Sequence, residues 1–159
     1  MNRTLSILTP PHAITMKSAL IRLLLLVGAI SVARADKKNI DAPNDGRIVT
    51  TAEPRAELLV LPDRKVQITF IDQAGKPVPA SGQVVTVTTG DRMNPTQLAF
   101  TASGTVLVSN GTIPAGNNLP TVVQITPTPG AKALVERFSL NFTTCPECNH
   151  AEYACICDH

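Results

Sequence analysis

The chain has 159 residues, 14 basic against 12 acidic for a formal charge of +2, with 43% apolar residues, 3% aromatic ones and no Trp. That length fits one domain. So few rings and so even a charge balance argue against base-stacking platforms, sugar-binding faces and a basic surface for nucleic acid or anionic membranes.

The first segment reads as a leader. Met16 to Arg22 (MKSALIR) is short and basic, Leu23 to Val32 (LLLLVGAISV) is apolar, and Ala33-Arg34-Ala35 puts small residues where a signal peptidase reads them. Residues 1–35 are therefore expected to be a signal peptide, cleaved before Asp36. The apolar run is shorter than the roughly 20 residues a membrane span needs, so no stable insertion is expected after cleavage. Residues 1–15, with Pro10-Pro11, fit a signal poorly, and Met16 is the better start. No cysteine marks the cleavage point for a lipid anchor. The mature chain keeps every acidic residue but loses Arg3, Lys17, Arg22 and Arg34, so its balance becomes −2, ten basic against twelve acidic. An exported protein, periplasmic or secreted, is the expectation.

Residues 36–55 (DKKNIDAPNDGRIVTTAEPR) are polar and without period, the pattern of a flexible linker. From Ala56 the chain becomes short runs of Val, Ile, Thr and Phe between Gly, Pro, Asn and Asp. Strands are predicted at about 57–61, 65–71, 83–89, 97–100, 105–108, 121–126 and 133–142. Val66, Ile68 and Phe70 share one face, as do Val85 and Val87. Leu134, Phe138, Leu140 and Phe142 share another, with Glu136 the one exception. Asp72-Gln-Ala-Gly75 reads as a turn, and Asn110-Gly111 offers the positive φ angles of a tight hairpin. No window after the leader makes an amphipathic helix. Residues 56–143 are thus expected to form an all-β, antiparallel, immunoglobulin-like β-sandwich of six to seven strands, its four Phe in the core, followed by an irregular Cys-rich tail over 144–159 that leaves the sandwich as an appendage.

The stretch FIDQAGKPV, an apolar strand running into an Asp-x-x-Gly turn and then Lys-Pro-Val, resembles the small immunoglobulin-like modules of bacterial cell-envelope proteins. That resemblance implies a fold and carries no activity.

The chemistry is concentrated in the tail, CPECNHAEYACICDH. All four cysteines (Cys145, Cys148, Cys155, Cys157) lie there with His150 and His159. Cys145-Pro-Glu-Cys148 can converge two thiolates on one ion. In an extended segment Cys155, Cys157 and His159 project to one side. These residue types at this spacing suit a tetrahedral zinc site of four thiolates, or of three thiolates and an imidazole, and also copper(I). The four cysteines are the main candidate ligands, His159 the next and His150 the third. Glu147, Glu152 and Asp158 add negative charge that favours a bound cation.

Two other readings stand beside this one. In an oxidising compartment an even number of cysteines can pair, here between the two groups, in a structural envelope module with a stapled tail. Cys-Pro-Glu-Cys also allows a thiol–disulfide exchanger, although such sites open a helix in an α/β fold and this motif follows a strand. Catalysis otherwise lacks parts. The sandwich holds no His to serve a nucleophile, Asp72 and Asp91 sit in turns, and the glycines form no phosphate loop. A leader, a β-sandwich and the tail CPEC…CICDH together resemble the small exported proteins that accompany heavy-metal efflux or resistance systems in Gram-negative bacteria. The resemblance implies a non-enzymatic role in metal buffering or delivery, with a membrane efflux or envelope protein as partner.

Overall fold

The computed structural model describes residues 41–157. The expected signal peptide, the start of the linker and His159 lie outside the described residues.

Among the described residues nine strands form: β1 (Arg47–Val49), β2 (Arg55–Val60), β3 (Val66–Ile71), β4 (Pro77–Val78), β5 (Val84–Gly90), β6 (Pro95–Ser103), β7 (Val106–Ser109), β8 (Asn118–Thr126) and β9 (Leu134–Asn141). Every pairing is antiparallel, in the order β1-β2-β3-β7-β6-β5-β8-β9, with β4 beside β3. The expected all-β architecture with a Cys-rich tail is present. Its seven predicted strands are β2, β3 and β5 to β9.

β6 makes the corner. Its first half, Pro95–Ala99, pairs with β5, and its second half, Phe100–Ser103, pairs with β7. One long strand thus serves both layers, and the path curls until it is nearly barrel-like. Alternation fills the interior. In β8, Leu119, Thr121, Val123 and Ile125 are buried and the residues between them are not. Val66, Ile68 and Phe70 of β3 and Val85 and Val87 of β5 are buried as their spacing predicts. Phe70 is fully inside, while Phe100, Phe138 and Phe142 are partly buried against the core.

The fold starts earlier than the composition indicates. β1 lies inside the stretch read as linker, and Val49 and Ala52 are buried there. The reason is Glu57, a wholly buried carboxylate on β2. It accepts the Asn44 amide at 2.8 Å, the Gly46 amide at 2.8 Å and the Asn44 side-chain Nδ2 at 2.7 Å. Buried charge persists only when so satisfied. The approach is close: a Cβ on Gly46 would stand 2.5 Å from the Leu58 carbonyl oxygen.

The turns follow local chemistry. The Asp72 carboxylate accepts the amides of Ala74 (2.8 Å) and Lys76 (2.9 Å), and Gly75 takes φ 80°. Asp91 accepts the Met93 amide in the same way. The tight turn expected at Asn110-Gly111 is instead at Gly104, with φ 62°, between β6 and β7. The Asn110 amide still pairs with the Ala99 carbonyl, so Asn110 extends the ladder rather than reversing the chain.

The two ends of the path, β1 and β9, meet through side chains. The Arg47 guanidinium lies 3.2 Å from the Glu136 carboxylate, which also accepts the Thr50 amide at 3.1 Å. Arg47 stacks over Phe138, 4.4 Å from the ring centroid. Glu136, the polar exception on the apolar face of β9, is therefore the seam residue. Among the described residues no helix is long and apolar enough to cross a membrane.

Candidate metal centre

The tail does not leave the body as an appendage. After β9 it doubles back as a tight hairpin. The Glu152 amide donates to the Thr143 carbonyl (2.8 Å), Thr144 bridges Ala151, and the Cys145 amide donates to the His150 carbonyl (2.8 Å). Asn149 closes the reversal at φ 62°, a left-handed conformation that Asn tolerates, and its amide returns to the Cys145 carbonyl. A one-turn 3-10 helix, Glu152–Ala154, then carries Tyr153 and Ala154 into the core. The physical cause is Tyr153. Its ring meets Phe142 edge-on at 5.6 Å, its hydroxyl accepts the Val60 amide at 3.2 Å, and its carbonyl accepts from Arg47 at 3.3 Å. An amphipathic ring with its polar tip satisfied is a strong anchor.

Anchored so, the chain leaves the helix extended and brings Cys155 and Cys157 against the hairpin. The Sγ atoms of Cys145, Cys148, Cys155 and Cys157 all lie within 4.8 Å of one another. Cys145 and Cys155 stand 3.6 Å apart, and Cys148 and Cys155 3.7 Å. Four sulfurs around zinc at about 2.3 Å would be about 3.8 Å apart, so the cluster already has the size of a tetrahedral site. A disulfide needs about 2.05 Å, well short of the 3.6 and 3.7 Å separations here.

Main-chain amides face these sulfurs. The amides of Cys148 and Glu147 pull the Cys145 thiol below its ordinary value against the effect of burial. The His150 amide, followed by that of Ile156, brings Cys148 down to about 7. The Cys157 amide donates to the Cys155 sulfur at 3.4 Å and favours its thiolate. Burial and the neighbouring sulfurs of Cys145 and Cys148 outweigh it and push Cys155 up. Burial raises Cys157 most of all, helped by the three other sulfurs. Two thiols are thus prepared for ionisation, and the other two are held back by burial and by the neighbouring sulfurs. A cation among them removes that conflict.

Of the six expected ligands, the structure gathers the four cysteines. His150 serves the site through its main chain, by its carbonyl to Cys145 and its amide toward Cys148, and its ring is not part of the cluster. His159 lies outside the described residues. Tyr153, Arg47 and Glu136 support the site from outside any motif of the sequence. Only Glu136 carried a signal, its polarity on an apolar face. Comparison with protein-family models, curated proteins and solved structures returned no match.

Proposed function

We propose that the chain is an exported, non-enzymatic metal-binding β-module that holds one soft or borderline cation in a four-thiolate site. Zinc is the ion this donor set suits best, since a tetrahedral S4 arrangement selects zinc or iron–sulfur chemistry, with copper(I) as the competitor. The observation that carries the reading is the convergence of the four Sγ atoms within 4.8 Å, on a hairpin whose amides already point at sulfur.

Buffering, delivery to an efflux or envelope partner, and closure of the tail are the uses such a site could have. Cys145 is wholly buried and the adjoining Tyr153 is set into the core. Both features support closure and slow exchange over rapid hand-over, because a closed site with all its positions filled by protein offers an acceptor no entry. A partner that takes the ion would first meet Cys148, Cys155 and Cys157, which are half-buried.

The test is to purify the mature protein without reductant, measure metal by elemental analysis and count reactive thiols. One metal per chain, lost on Cys148→Ser or Cys157→Ser, is expected. A metal-free chain with no reactive thiols would instead be the disulfide-stapled module.

A further inference from the structure

We propose that this metal centre is discharged by small-molecule disulfides, through formation of a Cys148–Cys155 bond. The inference rests on the metal reading and adds how the ion leaves. Its basis is distance and access. The sulfurs of Cys148 and Cys155 are 3.7 Å apart, so a bond between them needs a closure of under about 2 Å. Cys145 is equally near Cys155, at 3.6 Å, but has no exposed surface for an incoming disulfide to reach. Cys148 is half-buried between the exposed Glu147 and Asn149, and Cys155 is half-buried beside the exposed Ile156. Access therefore selects Cys148 over Cys145, the two sulfurs that distance to Cys155 leaves equivalent.

The exchange balances. The Cys148 thiolate attacks one sulfur of the small disulfide RS–SR, a mixed disulfide forms, and the first RS⁻ leaves. The Cys155 thiolate then attacks the Cys148 sulfur, the protein disulfide forms, and the second RS⁻ leaves. Two cysteine sulfurs lose two electrons in all, and the small disulfide gains them. The cation keeps only Cys145 and Cys157, half of its sulfur ligands, and departs.

The mature chain, loaded with zinc, is mixed with dithiodipyridine and a chromogenic zinc chelator. Thiopyridone and zinc are followed together, and the first cross-link is mapped by digestion and mass spectrometry. Two thiopyridones and one zinc per chain should appear in step, at least about tenfold faster than with chelator alone, with Cys148 joined to Cys155. A first cross-link that includes Cys145 or Cys157 overturns the proposal, as does zinc that stays until all four thiols have reacted. A chain that takes up no zinc overturns the metal reading and this inference with it, and that result is visible before any disulfide is added.

Discussion

Cys148 is the side chain on which the local electrostatics act most simply. The amide of His150 stabilises its thiolate, so in reduced, metal-free protein Cys148 should be half-ionised near pH 7. Alkylation there should be fast above that pH and slow as protons return below it, with protection once metal is added. Site-resolved alkylation against pH checks this, and a midpoint near the ordinary thiol value of about 8.5 would contradict it. Ligand loss should be graded. If zinc contributes about 12 kcal/mol over four sulfurs, one Cys→Ser change removes about 3 kcal/mol, roughly a hundredfold in affinity. His150→Ala should leave affinity unchanged, because its main chain and not its ring meets the site. Competition titration with a chromogenic chelator measures both. At this scale the sequence displayed the cysteines and their grouping but not Glu57. A buried carboxylate is recognisable only with its donors, and Asn44 and Gly46 lie in a stretch whose polarity reads as solvent-exposed.

Alternation made β3, β5, β8 and β9 legible, because half-buried strands have a period of two. β1 and β4, three and two residues long, are too short to show any period, and only pairing with β2 and β3 defines them. The Asn110-Gly111 reversal was misplaced because hairpin chemistry and ladder continuation compete, and the pairing of Asn110 with Ala99 won. The C-terminal segment was legible as chemistry and not as packing, since nothing in CPECNHAEYACICDH announces that Tyr153 reaches β2. That contact is testable. Tyr153→Phe keeps the ring against Phe142 but leaves the Val60 amide without its acceptor. It should cost about 1 kcal/mol, a fall in melting temperature of about 4 °C. Unchanged melting would show that the hydroxyl does not tie the tail to β2.

The described residues form a curled sheet whose two ends are tied by side chains and by the folded-back tail. Arg47 joins both devices, since it reaches Glu136 on β9 and the Tyr153 carbonyl next to the sulfur cluster. Metal binding should therefore stabilise the seam more than the core. Removing the ion should lower the melting temperature by mass action and speed amide exchange over residues 143–157 and β1, while β3 and β8 stay protected. Uniform loss of protection would mean that the tail and the core unfold together. Phe70→Ala, deep in the core, should cost about 3–5 kcal/mol with or without metal. The most direct measurement is the X-ray absorption spectrum of the protein, isolated from cells without added metal or reductant. One zinc per chain with four sulfur neighbours at about 2.3 Å is the predicted result. No bound metal, or an ion ringed chiefly by oxygen and nitrogen, would contradict it.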